Sequence, residues 1–289
     1  MSELVRVGLV APTSIDETLL EVASRMASAH IEGPSPAPWG SRASIVGEAS
    51  DPTALRRELR ALSRGTGTDV AVTVGPLARR PPKLLLMDVD STLINEEVID
   101  ELAEVAGAGA RVAAITEAAM RGELDFREAL RERVEALAGI PTSVFADVAR
   151  RLTLSPGAQT LVDAAHASGA RVAVVSGGFT EVVEILASQV GLDWFTANRL
   201  EVSEGHLTGR TTGPIIDKHA KLAILGEFAE RADCNPDEVL AVGDGANDLL
   251  MLAAAGLGVA FCAKPVAAEA AHAALTFRRL DAVAGLVHL

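Results

Sequence analysis

Short, continuous apolar runs separated by helical patterns limit the fold of this chain more than any other feature. The strongest run is KLLLM at 83–87, and similar runs recur at 171–175, 239–242, 258–262 and, more weakly, 274–277. A run that is apolar at every position is typical of a strand buried on both faces. The alternation predicts an α/β fold with a doubly wound parallel sheet. The expected helices are 180–190, 218–231, 248–255 and 266–272.

One connection is too long for a simple crossover. More than 80 residues separate run 83–87 from run 171–175, whereas a crossover needs about a dozen. The surplus, residues 95–152, carries the patterns of about four helices, including an amphipathic segment at 124–137. We interpret it as a helical cap inserted over the carboxyl edge of the sheet. A shorter insert at 196–212 predicts a hairpin.

Charge and proline predict a domain boundary near residue 82. Acidic and basic side chains balance in residues 1–82, so the net charge of −13 falls on residues 83–289, and the two parts meet at a Pro-Pro pair. The proline-rich segment 33–38 is expected to be a loop outside the sheet interior. The order of elements resembles a small α+β, ferredoxin-like module of the ACT type with one strand missing, which we expect to serve packing or homodimer formation. Its expected strands are 6–10, 44–46 and 70–74, and its expected helices are 15–29 and 52–63.

Composition excludes several classes of function. The chain is 49% hydrophobic and 22% charged, which suits a folded core. Its acidic excess and its lack of Tyr disfavour nucleic acid and anionic membrane surfaces. The longest uncharged apolar stretch, 249–263, is shorter than the roughly 20 residues that span a bilayer. The two cysteines form no CxxC pair and suit a reducing cytosol, so we expect a cytoplasmic protein.

Acidic side chains directly follow the first buried run. Asp88 and Asp90 lie two apart in an extended segment, so their carboxylates can point the same way into one site. A calcium-binding EF-hand starting at Asp88 would need Gly at its sixth position and Glu at its twelfth, where Leu93 and Ile99 stand. A paired-carboxylate site therefore accounts for the motif better than a calcium loop does.

Two further runs end in polar clusters. Ser176 and Gly177 offer a hydroxyl and a backbone N–H next to a helix N-terminus, which suits an anion. The run GDGAND at 243–248 adds two carboxylates and an amide. Asp88 and Asp244 together supply hard oxygen ligands, which favours Mg²⁺ over zinc.

Lys221, one of only four lysines, falls near the start of a predicted helix. Helix N-termini disfavour cations, so Lys221 is expected to contact an anion, although a solvated surface lysine is the simpler alternative. The sequence contains no GxGxxG, GxxxxGK[ST], GxSxG or HExxH. Nucleotide-binding, serine-hydrolase and zincin functions therefore lack their signatures.

These motifs, in order, resemble the four motifs of the haloacid dehalogenase (HAD) superfamily. The run from Met87 to Lys264 also resembles the phosphoserine phosphatase family more closely, in stretches within and outside the motifs: NEEVIDE at 95–101, VVSGGF at 174–179, ANRL at 197–200 and AFCAK at 260–264. The similarity covers residues 84 to about 280, and residues 1–82 match less well. It implies hydrolysis of the small molecule phosphoserine, the last step of serine biosynthesis, through an aspartyl-phosphate intermediate.

The resemblance also assigns roles within the site. Asp88 is the expected nucleophile and Asp90 the acid and base. Mg²⁺ is expected on the Asp88 and Asp244 carboxylates and the Asp90 carbonyl oxygen. The groups expected around the phosphoryl group are Ser176, the Gly177 N–H, Lys221 and Asn247, with Asp248 ordering metal-bound water.

Substrate choice is expected to come from the cap. Arg133 lies seven residues after Phe126, so both occupy one face of the segment 124–137. An arginine on an apolar stripe must be paired or bind a ligand. By resemblance, Arg133 binds the substrate carboxylate, Glu97 binds its ammonium group, and Phe126 and Met120 form pocket walls.

Two alternatives remain open at this stage. The first is a HAD phosphatase or phosphotransferase acting on another small phosphorylated metabolite. The second is a regulatory protein whose N-terminal module senses an amino acid, which the retention of every expected catalytic carboxylate opposes.

Overall fold

The computed structural model describes residues 2–121 and 123–289, without the side chain of Met120. Its first part is a four-stranded antiparallel sheet in the order β2-β3-β1-β4, with two helices on one face. Alternate residues of the first strand, such as Val5, Val7 and Leu9, are buried beneath those helices. The elements are β1 (Glu3–Ala11), α1 (Glu17–Met26), β2 (His30–Ala37), β3 (Gly40–Ala49), α2 (Pro52–Ser63) and β4 (Asp69–Thr73).

The expectation of a missing strand is wrong. The proline-rich segment assigned to a loop belongs to β2 in all but its last residue, and β2 pairs with β3 with a register shift between Glu32 and Ser35. Proline is tolerated there because β2 is an edge strand, whose outer N–H groups have no ladder to join. The complete order is β-α-β-β-α-β, that of a ferredoxin-like module. Its relation to the ACT type and the division at residue 82 stay predictions.

The predicted parallel sheet is confirmed. Seven strands lie in the order β11-β10-β9-β5-β6-β7-β8, and all neighbouring pairs are parallel except β7 with β8, the predicted hairpin. The central strand is the apolar run, and all four of its residues are fully buried. The strands are β5 (Leu84–Met87), β6 (Arg171–Phe179), β7 (Trp194–Ser203), β8 (His206–Thr212), β9 (Val239–Gly243), β10 (Leu257–Phe261) and β11 (Ala273–Leu275).

In the described part of the insert 95–152 there are four helices, as predicted: α3 (Val98–Val105), α4 (Gly109–Met120), α5 (Phe126–Glu135) and α6 (Val144–Ala149). We call residues 95–152 the cap. A capping box starts α5: Asp125 Oδ1 accepts from the Glu128 N–H at 2.8 Å, and Glu128 Oε2 accepts from the Asp125 N–H at 3.0 Å. It makes Phe126 the first residue of α5.

Five more helices cover both faces of the sheet. Leu85 and Met87 of β5 pack into the same core as α7 and α8, whereas Leu84 and Leu86 pack into the core of α9 and α10 on the opposite face. No helix among the described residues is both long and apolar enough to cross a membrane. The helices are α7 (Ala158–Ala167), α8 (Thr180–Val190), α9 (Lys218–Arg231), α10 (Leu249–Ala254) and α11 (Pro265–Ala270).

The first sheet packs against the end of the chain through its helix-free face. A Cβ atom at Gly8 would lie 2.6 Å from the Leu286 carbonyl oxygen, so only glycine permits this approach. The rings of Trp39 and Phe277 meet with centroids 6.0 Å apart. The buried Asp69 carboxylate accepts a hydrogen bond from the Thr276 N–H at 2.6 Å and lies 3.0 Å from its hydroxyl. The two parts therefore share an apolar and hydrogen-bonded interface.

Asp69 makes the stability of this interface depend on pH. Burial raises the pKa of Asp69 to about 6 from its ordinary 3.8, although hydrogen bonds from Thr276 oppose the shift. The unfolded chain releases this proton at lower pH than the folded protein does. The folded state therefore loses stability as the pH rises from about 4 to about 6. Asparagine does not titrate, so the free energy of unfolding of Asp69→Asn, measured in urea, should rise relative to that of wild type by up to about 3 kcal/mol as the pH is raised from 4 to 7. A difference independent of pH would contradict this account.

Candidate active site

Three neighbouring strands deliver polar side chains to one edge of the parallel sheet. Asp88 follows β5, Asp244 follows β9, and Ser176 lies near the end of β6, where pairing with β7 shifts register between Ser176 and Phe179. The Asp88 N–H donates to the Val242 carbonyl at 2.9 Å and fixes this residue at the centre of the edge. Carboxyl ends of parallel strands form ligand crevices, and the predicted residues meet there.

Asp88, Lys221 and Asp248 form a buried charged group. Lys221 Nζ lies 2.8 Å from Asp88 Oδ1 and 2.7 Å from Asp248 Oδ1, and the lysine side chain is fully buried. The Val89 N–H also donates to Asp88 Oδ1, at 2.7 Å. Within the described residues, both polar contacts of the Asp88 carboxylate are made by Oδ1. Oδ2 is therefore available to a ligand in the cleft. Lys221 is thus neither a surface lysine nor a direct lining residue of the cleft.

The turn after β5 holds the second carboxylate and leads into the cap. Asp90 Oδ1 accepts from the Val98 N–H at 3.0 Å, at the start of α3. Ser91 has a φ of +56°, an unfavourable conformation for a residue with a side chain. Its hydroxyl donates to Glu97 Oε1 at 2.8 Å. The turn therefore links β5 to Glu97.

Two glycines permit the close packing of these groups. A Cβ atom at Gly178 would lie 2.9 Å from Asp90 Oδ2 and 3.0 Å from Ser176 Oγ, while one at Gly243 would lie 2.5 Å from Asp248 Cγ. The Gly178 N–H donates to Ser176 Oγ at 2.7 Å. A side chain at either position would displace the neighbouring carboxylate, so lack of space for a Cβ atom requires glycine at both positions.

The crowded carboxylates shift one another's pKa values. Burial, followed by the charge of Glu97, raises the pKa of Asp90 to about 7. Burial, followed by the charge of Asp248, raises the pKa of Asp244 to about 6. The same two causes raise the pKa of Asp88, against the opposing effect of Lys221. Burial would lower the pKa of Lys221, but the Asp88 and Asp248 carboxylates outweigh it and raise that pKa.

A cavity of about 240 Å³ opens between these strand ends and the cap. It brings core carboxylates opposite Arg133 and Glu97, and Phe126 forms part of its wall. Ser176 and Lys221 lie behind this lining, and the side chain of Met120 lies outside the described part. The lining residues are Asp88, Asp90, Glu97, Ile99, Phe126, Leu130, Arg133, Gly177, Gly178, Asp244, Gly245 and Asn247.

Arg133 is the cation on the cap side of this cavity. Its Nε donates to the Ala129 carbonyl one turn back at 3.3 Å, and the guanidinium makes no ion pair within the described part of the chain. Burial lowers the pKa of Arg133, with Asp100 and Glu97 opposing the shift. The half-buried cation has spare donors for an anion in the cavity.

A divalent cation fits the core side of the cavity. Carboxylate oxygens of Asp88, Asp244 and Asp248 lie within 4.8 Å of one another. All are hard oxygen donors, which suits Mg²⁺. Burial and mutual repulsion raise two of their pKa values, a cost that a cation would relieve. From the sequence, Asp88 and Asp244 were expected as ligands and Asp248 was given only an indirect role. The cluster of oxygens also includes a carboxylate oxygen of Asp248.

Several residues of the site were not predicted. Leu130 and Ile99 line the cavity, and the helical spacing of Leu130 with Phe126 and Arg133 could have identified it. The buried Asn198 donates to the Gly177 carbonyl at 2.7 Å and accepts from the Ile216 N–H at 2.8 Å. Asn198 therefore supports the segment Ser176–Gly178. The only sequence feature that pointed to it was its place in the family-like stretch ANRL at 197–200.

Comparison with known proteins agrees with this geometry. A family model described as haloacid dehalogenase-like hydrolase matches residues 85–253. The phosphoserine phosphatase of Lactococcus lactis subsp. lactis is 54% identical over 182 residues, which cover 63% of this chain and 84% of that protein. The phosphoserine phosphatase of Streptomyces coelicolor is 50% identical over 241 residues, which cover 83% of this chain but only 58% of that longer protein.

A solved structure of a phospho-aspartyl intermediate analogue of phosphoserine phosphatase matches with a TM-score of 0.66 and 42% identity, covering 71% of this chain and 98% of that one. Fold, cleft and family model together define the class, that of the haloacid dehalogenase-like hydrolases. Within this class, the chain belongs to the phosphoserine phosphatase family.

Proposed function

We propose that this chain is a Mg²⁺-dependent phosphatase that hydrolyses O-phospho-L-serine to L-serine and phosphate, the last step of serine biosynthesis. One observation carries the proposal. The cavity has acidic, metal-compatible groups on its core side and one cation, Arg133, beside one anion, Glu97, on its cap side. Phosphoserine has the matching arrangement, with a phosphoryl group at one end and a carboxylate and an ammonium group at the other.

Asp88 is the proposed nucleophile. Its Oδ1 is held by Lys221 and by the Val89 N–H, which leaves Oδ2 to attack phosphorus. Attack forms an aspartyl-phosphate and releases the serine oxygen, and water then cleaves the acyl phosphate to regenerate the carboxylate. The solved phospho-aspartyl analogue of a related phosphatase supports this route.

Asp90 is the proposed general acid and base. A pKa of about 7 lets it hold a proton for the departing serine oxygen and later accept one from the attacking water. Its hydrogen bond from the Val98 N–H keeps the carboxyl group at the cleft while either form is present.

The phosphoryl group is expected to contact donors that the cleft already presents. In the lining these are the Gly177 N–H and the Asn247 side chain. We propose the same role for Lys221 and the Ser176 hydroxyl, which are fully buried and outside the lining. We propose that Asp88, Asp244 and the Asp90 carbonyl oxygen hold Mg²⁺ and that Asp248 orders its water. When bound, the ion supplies positive charge that offsets repulsion between the carboxylates and the phosphoryl oxygens.

The cap is proposed to recognise the amino-acid end. Arg133 offers two parallel N–H donors to a carboxylate, and Glu97 offers an acceptor to the ammonium group. Phe126 supplies an apolar wall, a role we also propose for Met120. For the N-terminal module we propose homodimer formation, and for the whole chain a cytoplasmic location without nucleic-acid or membrane partners.

Phosphate release tests this function and its metal dependence together. The purified protein should release phosphate from O-phospho-L-serine with Mg²⁺, lose at least about 100-fold of that rate after chelation, and regain it when Mg²⁺ is returned. Zinc added to the chelated protein is the control and should restore little activity. No release from phosphoserine in the presence of Mg²⁺ would refute the proposed function.

A further inference from the structure

The segment 276–278 contacts the N-terminal module on one side and the start of the cap on the other. Asp69 of β4 accepts from the Thr276 N–H at 2.6 Å, and Trp39 packs on Phe277. The next residue, Arg278, turns toward the catalytic part of the molecule. Three consecutive residues therefore connect the two parts of the chain.

Arg278 contacts the start of the cap. Its Nε donates to Asn95 Oδ1 at 2.9 Å, and one terminal nitrogen lies 3.4 Å from the Ser91 carbonyl oxygen. Its guanidinium carbon lies 5.8 Å from the centre of the Phe261 ring, which limits where the side chain can point. Ser91 belongs to the connection between β5 and the cap, and Asn95 is the first residue of the cap.

Asn95 joins the two chain segments that connect the cap to the core. Its N–H donates to the Thr153 carbonyl at 3.0 Å, and its Nδ2 lies 2.9 Å from Thr153 Oγ1 and 3.2 Å from the Leu154 carbonyl. We call residues 94–96 and 152–155 the hinge. The Asn95 side chain thus donates through Nδ2 to the second hinge segment and accepts through Oδ1 from Arg278. Arg278 therefore holds the hinge to the core.

The same arginine supports the turn that presents Glu97. Ser91 adopts a left-handed backbone conformation and donates its hydroxyl to Glu97. Arg278 contacts the carbonyl oxygen of the same residue at 3.4 Å and so constrains the orientation of this peptide unit. Arg278 thus acts on the cap hinge and on the Glu97 side chain, although it does not line the cavity.

We propose that Arg278 is a positioning residue, which holds the cap hinge and the Ser91 turn in the geometry that the substrate requires, and that the N-terminal module, through Asp69 and Thr276, holds Arg278 in place. The expected effect on kcat/KM rests on the proposed phosphoserine phosphatase function. The expected effect on the hinge is independent of that function, because hinge opening can be measured without substrate.

The test compares Arg278→Ala with Arg278→Lys and with Arg231→Ala. Arg231 is the matched control, because it is also exposed and lies over an aromatic ring, that of Trp194, but outside the hinge. Hydrogen exchange reads the hinge through the amides of Asn95 and Ser155, which donate to Thr153 and Leu93. Kinetics read kcat and KM for phosphoserine.

Arg278→Ala should raise exchange at both amides and lower kcat/KM for phosphoserine, each about tenfold, since small misplacements are costly. The lysine variant should recover part of both effects, because an ammonium group can still donate to Asn95. Arg231→Ala should match wild type. Equal hinge exchange in Arg278→Ala and Arg231→Ala would overturn the proposal. Altered exchange in a protein that never hydrolyses phosphoserine would refute the proposed function instead.

Asp69→Ala tests the link to the N-terminal module in the full chain. If that variant fails to fold, Thr276→Val replaces it, which removes the hydroxyl contact with Asp69 at 3.0 Å and keeps the N–H. Either should raise exchange at the two hinge amides. The double variant with Arg278→Ala should exchange no faster than Arg278→Ala alone, because both changes act through one residue. Unchanged hinge exchange in a folded Asp69→Ala variant, or simple additivity in the double variant, would contradict the link.

Discussion

Replacing Asp88 with Asn is expected to lower kcat for phosphoserine by a factor on the order of 10⁴ or more. An amide oxygen is a poor nucleophile toward phosphorus, so the first displacement fails while substrate can still bind. The measurement is steady-state phosphate release by the folded variant. A kcat within tenfold of wild type would contradict the assignment of Asp88.

The same variant should remain folded. Lys221 keeps its contact with Asp248 at 2.7 Å, so the buried cation stays paired when Asp88 loses its charge. Asp193→Asn is a suitable control, because Asp193 is also ion-paired, with Arg171, and hydrogen-bonded to His166, yet lies outside the cavity lining. Its kcat should stay close to wild type. Beryllofluoride, which mimics a phosphoryl group on a carboxylate, should inhibit wild type.

Replacing Arg133 with Ala is expected to lower kcat/KM for phosphoserine by about 10- to 150-fold. The change removes charge-assisted hydrogen bonds to the substrate carboxylate, each worth roughly 1.5–3 kcal/mol. Part of the loss should appear in kcat, because binding of the remote end also orients the reacting end. The comparison is kcat/KM for phosphoserine against kcat/KM for p-nitrophenyl phosphate, which has no carboxylate to lose.

Arg131→Ala is the matched control for this experiment. Arg131 is in the same helix, α5, but is exposed and does not line the cavity. Its removal should leave both substrates nearly unaffected. If Arg133→Ala lowers both substrates by the same factor, Arg133 acts as a general electrostatic or structural residue, and substrate choice resides elsewhere.

Sequence was sufficient for the parallel sheet because its strands are buried on both faces. A strand such as β5 must be apolar at every position, and few structural elements of that length share the pattern. The polar residues that end β5, β6 and β9 were predictable for a related reason, since parallel strands share one carboxyl edge. The cap could be located because the β5-to-β6 connection is too long for a crossover.

Contacts between distant parts of the chain could not be predicted in this way. β2 was missed because edge strands tolerate the prolines that mark loops elsewhere. Asp69 and Thr276 are 207 positions apart, and no local pattern signals that one will bond the other. Lys221 was expected to contact an anion, but only the packing of α9 against the strand ends shows contact with two carboxylates.

Trapping of a covalent phosphoenzyme tests the central claim most directly. Wild-type protein mixed with phosphoserine labelled on phosphorus and quenched in acid within milliseconds should carry acid-stable, base-labile label on the peptide that contains Asp88. The label should be absent in Asp88→Asn and should disappear from wild type once the substrate is consumed. Turnover of phosphoserine with no label on that peptide at any quench time, or equal labelling of Asp88→Asn, would contradict a covalent mechanism at Asp88.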